Sequence, residues 1–281
     1  MIVGKYSGRA SWPGISIFHK QTESILIHRI ETIMWTIFNR KRQYPDLQWM
    51  QVDIHSHILP GIDDGCENAA ESVALLQRLE ALGLAKFYFT PHIFQDVYPN
   101  TAETIADAFH RLHQEEVGQL AAGYAAEYMV DTAFDQQLAK EPRHLLCLPG
   151  GHVLIEMSYM EESKLIEKVA FDLQMEGYIP ILAHPERYIY YHRDHKKIER
   201  FQDIGCLLQL NLLSLMGYYG RNERRVAKYL LEQGMIDLVG TDVHHERHVR
   251  ALEVGTQRED IRAYFKHCEI MNEELFSGVT T

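Results

Sequence analysis

The chain has 281 residues, 46% hydrophobic and 24% charged, which excludes a disordered or collagen-like polymer and supplies apolar side chains for a sizeable core. Its 28 Lys and Arg against 39 Asp and Glu leave a net charge of −11, which disfavours nonspecific nucleic-acid binding, where basic side chains must neutralise phosphates. Histidine is the outlier at 16 copies, and it is the side chain most used for metal ligation and for proton transfer near neutral pH.

Residues 1–50 read differently from the rest, with Arg40, Lys41 and Arg42 in a basic cluster and no strand pattern. Within them, 24–38 is apolar at near-helical spacing through Ile25, Ile27, Ile30, Ile33, Trp35 and Ile37. The expectation is an accessory extension, helical or disordered, with a helix against the body and a membrane-surface helix as alternatives; Met34 is an alternative start. No apolar run reaches the ~18 residues of a membrane span. The N-terminus lacks the apolar core and small-residue cleavage site of a secretion signal. The expected location is therefore cytoplasmic, and the dispersed Cys66, Cys147, Cys206 and Cys268 suit a reducing compartment.

From residue 51 a rhythm begins. Candidate strands at 51–55, 86–90, 123–128, 153–157, 179–183, 207–211 and 236–240 alternate with candidate helices. The helices fall near 68–82, 101–120, 132–140, 162–176, 195–203, 222–233 and 247–257. Strand–helix alternation implies parallel βαβ units, and residues 51–281 are read as one domain built on a closed or nearly closed barrel.

Most of these strands carry a metal-ligand type at or near their ends. The first ends in His55-Ser56-His57, whose imidazoles lie two apart and share a face of an extended chain. Asp63 and Asp64 follow in the next loop, and His92 closes the second strand in Thr90-Pro91-His92. Glu127 lies in the third and Glu156 in the fourth, His184 follows the fifth, and Asp242 and His244 follow the seventh. Strand C-termini of a barrel converge on one mouth, so these side chains would meet there. Carboxylates at such density repel one another, and bound cations are the natural balance. Mixed imidazole and carboxylate donors suit Mn, Fe or Zn.

Competing chemistries fail on inspection. No Cys is followed six residues later by Arg, as a cysteine-nucleophile tyrosine phosphatase requires. Neither a GxxxxGK[ST] phosphate loop nor a GxSxG elbow is present.

The run from Asp53 to Gly65, DIHSHILPGIDDG, resembles the opening motif of the PHP (polymerase and histidinol phosphatase) superfamily. More narrowly it resembles the bacterial manganese-dependent protein-tyrosine phosphatases of capsule and exopolysaccharide loci. Thr90-Pro91-His92, Leu154-Ile155-Glu156, the run Leu182–Tyr188 and Gly240–His244 continue the match in order. The resemblance implies a distorted seven-stranded (β/α)7 TIM-like barrel, the PHP fold, with three divalent metal ions, Mn foremost. His55, His57, Glu127 and Asp242 would hold one ion. Glu127, Glu156 and His184 would hold a second, and Asp64, His92 and His244 a third. Asp53 and Asp63 would be structural supports. The activity implied is phosphotyrosine hydrolysis by a hydroxide bridging two ions, with Arg187 clamping phosphate oxygens and Arg250 adding a contact. The implied partner is a membrane-associated bacterial tyrosine kinase controlling capsular or exopolysaccharide synthesis; self-association into a homo-oligomer stays open. The alternative is a small-molecule phosphoesterase acting on histidinol phosphate or a sugar phosphate at the same metals.

Overall fold

The computed structural model describes residues 46–278. Residues 1–45, which hold most of the expected extension and Met34, lie outside the described residues. Leu47 and Met50 are already fully buried in the main core, ahead of the first strand.

Nine strands form: β1 (Val52–Asp53), β2 (Lys86–Phe89), β3 (His92–Ile93), β4 (Ala121–Tyr124), β5 (Glu127–Met129), β6 (His152–Glu156), β7 (Ile179–Ala183), β8 (Leu207–Asn211) and β9 (Leu238–Gly240). Eight of them fall on the seven expected runs; β3 lies beyond the 86–90 run, past a break at Thr90-Pro91, and the 123–128 run is interrupted at Ala125-Ala126. Pro91 has no N–H to give to a ladder, which accounts for the first break. All strand pairs are parallel, in the orders β1-β2-β4 and β3-β5-β6-β7-β8-β9. The result is a mixed α/β fold whose parallel sheet curls into a half-barrel of TIM-like kind. An isolated parallel bridge, Ser56 to Val243, joins the continuations of β1 and β9.

The helices are α1 (Ala69–Ala81), α2 (Ala102–His113), α3 (Thr132–Lys140), α4 (Ile166–Met175), α5 (Lys196–Asp203), α6 (Leu212–Leu215), α7 (Arg221–Glu232), α8 (Glu246–Arg258) and α9 (Asn272–Phe276). Polar caps start several of them. The Asn68 side chain accepts from Glu71 N, Thr101 and Thr104 form a reciprocal capping box, and Asp131 accepts from Phe134 N. Helix α2 ends seven residues earlier than the sequence pattern suggests. A Cβ on Gly118 would lie 2.1 Å from the His113 carbonyl oxygen, so the chain folds back there rather than extending the helix.

Period-two alternation sorts the strand side chains. Phe87, Phe89, Val153, Ile155, Leu208 and Leu210 belong to the main cluster, which includes residues of the surrounding helices. Val52, Ile54, Leu154, Ile181, Ala183 and Leu238 form a second cluster within the curl. Helix α9, which the strand–helix rhythm does not announce, closes this cluster with Phe276. Its Asn272 amide donates to Val52 O and Val239 O and accepts from Val239 N, tying β1 to β9 by a side chain.

Candidate metal centre and cleft

Inward-facing register carries the apolar plug directly into the site. Two residues beyond Leu154 is Glu156, and two beyond Ala125 is Glu127, so each carboxylate continues a face that begins in the core. His184 and Asp242 leave their strands with φ of 33° and 52°, a left-handed backbone that costs non-glycine residues about 1–3 kcal/mol and clusters at functional sites. The loop bearing Asp63 and Asp64 lies flat on the first strand end because Gly65 has no side chain. A Cβ there would sit 1.8 Å from His57 O.

All nine expected ligands come together. His55 Nε2 lies 3.2 Å from Glu127 Oε2 and 3.5 Å from Asp242 Oδ1. His57 Nε2 lies 3.3 and 3.4 Å from the same two oxygens, and the two Nε2 atoms are 3.3 Å apart. His92 Nδ1 lies 3.1 Å from Glu127 Oε2 and 2.9 Å from Glu156 Oε1. His184 Nε2 lies 3.0 Å from Glu127 Oε1 but 4.0 Å from Glu156. Asp64 Oδ1 lies 3.5 Å from His92 Nε2 and 3.6 Å from His244 Nε2.

The tightest donor sets cut across the three groups implied by resemblance. His92, rather than His184, stands with Glu127 and Glu156. His184 stands with His55 and Asp242, and His57 joins Asp64, His92 and His244. Arg187 reaches the site, whereas Arg250 does not: it is exposed on α8 and is not part of the cleft wall.

The outer ring nitrogens are tied down. His57 Nδ1 faces Asp63 Oδ2 at 2.8 Å, His55 Nδ1 faces Gln209 Oε1 at 2.8 Å, and His244 Nδ1 faces Asp242 O at 2.9 Å. Each partner is an acceptor, so each Nδ1 carries the hydrogen and each Nε2 faces inward, where the neutral ring presents a lone pair. Gln209 Nε2 donates to Leu210 O, which fixes the amide's orientation. With both rings neutral, two lone pairs converging at 3.3 Å repel unless a cation or a proton lies between them. His92 Nδ1 and Glu127 Oε2 have polar neighbours within about 3 Å but meet none of them in hydrogen-bonding geometry, and His184 Nδ1 is buried without a partner. This donor set fits divalent metal ions of the Mn, Fe or Zn type.

Charge tells the same story. Burial opposes ionisation of Glu127 and Asp242, yet His55 and neighbouring imidazoles hold both well below the usual carboxylate range. Burial likewise opposes a charged His57, yet the Asp63 carboxylate and bonds to Asp242 and Glu127 hold its pKa well above the usual value. The positive charge beside these ionised carboxylates is supplied by the imidazolium rings, and a divalent ion would take over that role as it displaced their protons.

Gln209, Asn211, Tyr159 and Tyr219 complete the site and were not singled out from sequence. The Asn211 amide donates to Asp242 Oδ2 at 2.7 Å, and Arg187 Nη1 donates to the same oxygen at 2.5 Å. The guanidinium is stacked between Tyr159 and Tyr219, 4.3 and 4.1 Å from their ring centroids. A readable signal for the amides existed: Gln209 and Asn211 are polar, two apart, in an otherwise apolar strand.

Glu186 accepts from Asn211 N at 3.0 Å, and its other oxygen has no partner. Burial pushes its carboxyl up to about 7. Between an unfolded value of 4.5 and about 7, the folded chain keeps a proton that the unfolded chain has lost. Stability therefore falls as pH rises through that window. Glu186→Gln removes this slope. Urea unfolding should show the variant gaining on the parent by on the order of 2–3 kcal/mol between about pH 4 and about pH 8.

Above the ligands opens a cleft of about 500 Å³, with Asp64, His92, Glu156, His244 and Arg187 among its lining residues. Tyr98, Met129, Tyr159, Met160 and Val97 also line it, the last two 75% and 52% exposed.

Comparison with known proteins places these features. The family model for capsular polysaccharide synthesis, CpsB/CapC, matches residues 51–275. The chain is 30% identical to the tyrosine-protein phosphatase YwqE of Bacillus subtilis, over 69% of this chain and 77% of that one. It is 28% identical to the tyrosine-protein phosphatase CpsB of Streptococcus pneumoniae, over 69% and 83% respectively. A crystal structure from the work on YwqE and CpsB, described as unique metal-dependent tyrosine phosphatases, superposes with a TM-score of 0.65 at 26% identity, covering 78% of this chain and 96% of that one.

Proposed function

The chain belongs to the CpsB/CapC family of capsular polysaccharide synthesis, and on that premise we infer that it is a metal-dependent protein-tyrosine phosphatase. The observation that carries this reading is the convergence of His55, His57, Glu127 and Asp242 at 3.2–3.5 Å, beside an open cleft with aromatic and methionine walls. The finer parts of the reading are three divalent ions with Mn foremost, a seven-stranded PHP barrel, a cytoplasmic location and a tyrosine kinase as substrate. The Ser56–Val243 bridge supports closure of the barrel. Among the described residues, no helix is long and apolar enough to cross a membrane.

The nine ligand side chains would hold the ions, with Glu127 central to more than one donor set. Bound there, such ions supply positive charge to phosphate oxygens and bring the pKa of water toward neutrality. The chain's own residues do the rest. Asp63, Gln209 and the Asp242 carbonyl fix the three imidazoles so that no reorientation is needed during reaction. Arg187 is held flat between two tyrosine rings with only Nη1 bonded to a side chain among the described residues, so its remaining N–H donors can meet phosphate oxygens. Met129, Tyr98 and Tyr159 offer apolar surface for a phenyl ring. A tyrosinate leaves readily and asks little of a general acid.

The test is phosphate release after chelation and Mn add-back, with a phosphotyrosine peptide and histidinol phosphate side by side. Peptide turnover that vanishes on chelation and returns with Mn is expected. Turnover of histidinol phosphate alone would overturn the reading in favour of a metabolic phosphoesterase.

A further inference from the structure

A second concavity, of about 590 Å³, runs along α7 and is lined by Arg221, Arg224, Arg225 and Lys228 with His195 and Tyr229. Arg224 is neutralised by Glu259 at 2.6 Å. Among the described residues, Arg221, Arg225 and Lys228 have no carboxylate within 4.0 Å, although Arg225 donates to His192 O and Lys228 to the Tyr264 hydroxyl. On a chain of net charge −11, three unneutralised cations in one groove mark a place for an anionic partner.

Two links run from the groove toward the cleft. Tyr219, which stacks on Arg187 and lines the cleft, precedes Arg221 by two residues. Arg225 holds the His192 carbonyl, and the His192 ring bonds Glu186 O at 2.9 Å, next to Arg187. In a βα unit the helix returns from the C-terminal end of its strand, so the Arg221 end of α7 lies on the side where the ligands gather. From Arg221 to Glu232 the helix runs about 16 Å, the span of about five residues of extended peptide.

We propose that this groove docks an acidic stretch of the phosphotyrosine-bearing protein while its phosphotyrosine enters the cleft, an inference that rests on the phosphatase reading. A peptide fits better than an anionic bilayer, because the surface is concave and Glu232 lies within its lining.

Two measurements test the proposal. One is turnover of phosphotyrosine peptides with acidic or neutral flanks by the Mn-loaded chain. The other is fluorescence anisotropy of an unphosphorylated Glu-rich peptide, which needs no turnover. In R221Q/R225Q/K228Q the KM for the acidic-flanked peptide should rise about tenfold at unchanged kcat, and the neutral-flanked peptide should be unaffected. The Glu-rich peptide should bind the parent, lose that binding in the variant and be released by salt. R221Q/K228Q spares the Arg225–His192 bond and carries the same comparison if the triple variant does not fold. Equal effects on both peptides, or Glu-rich peptide binding no weaker in the variants, overturns the proposal. So does retention on phosphatidylglycerol vesicles without peptide binding. Binding of the Glu-rich peptide without turnover of either substrate would leave the groove standing and count against the phosphatase reading alone.

Discussion

Glu127→Gln is expected to lower kcat on a phosphotyrosine peptide by on the order of a thousandfold, a barrier increase of about 4 kcal/mol, while the chain stays folded. The reason is position. One oxygen of Glu127 faces His55, His57 and His92 within 3.3 Å, and the other faces His184 at 3.0 Å. No other carboxylate in the site reaches four imidazoles. The amide keeps one acceptor but turns an NH2 toward ring nitrogens or a cation, so it removes a negative charge and adds a repulsive dipole. Metal analysis of the purified variant should show fewer bound ions than the parent, and circular dichroism should show the same helix content. Parent-like turnover in a variant that has lost metal would overturn the metal-centred reading. Parent-like metal content with lost turnover would shift the role of Glu127 from holding ions to orienting substrate.

Most of the fold was legible because each expected run has a local cause. Strands at 153–157, 179–183 and 207–211 are short apolar segments buried on both faces, the pattern of a parallel sheet. The breaks at Pro91 and between Ala125 and Ala126 were less legible, since a run of apolar residues says nothing about where a curled sheet must bend. Helix α9 was invisible for a different reason. Its weight lies in Asn272 bridging Val52 and Val239, and in Phe276 filling the bottom of the curl, contacts that reach as far as 220 residues along the chain.

The candidate site divides along the same line. Ligands at strand ends follow from period-two geometry and topology, so His55, His57, Glu127 and Glu156 could be placed together from sequence. Which ligands stand closest depends on side-chain reach across the mouth. His92 lies beside Glu156 because β3 pairs with β5 and β5 with β6, and its ring spans from Asp64 to Glu127. Arg250 illustrates the limit. A helix following a ligand motif presents only part of its surface to the mouth, and Arg250 lies on the solvent side with Val249 and Leu252 buried beside it. The partners that orient the ligands, Gln209 and Asn211, come from a strand that supplies none of the nine expected ligands.

Arg187→Lys should cost roughly a hundredfold in kcat/KM on phosphotyrosine peptide, with metal content preserved. Conservation of charge does not conserve what this side chain does. The guanidinium lies flat between Tyr159 and Tyr219, donates to Asp242 Oδ2, and still has N–H groups to offer from the opposite edge. An ammonium has no plane to stack and cannot present two parallel donors to phosphate oxygens. A lysine that keeps its bond to Asp242 turns its charge away from the substrate; one that reaches the substrate leaves Asp242 Oδ2 with Asn211 alone. The loss should appear with free phosphotyrosine as well as with peptide, because it concerns the phosphate and not the flanking residues. That separates it from the groove along α7, whose variants should spare the small substrate. An Arg187→Lys chain with unaltered kcat/KM would show that the bound ions suffice to hold the phosphate and that the arginine serves mainly to brace Asp242.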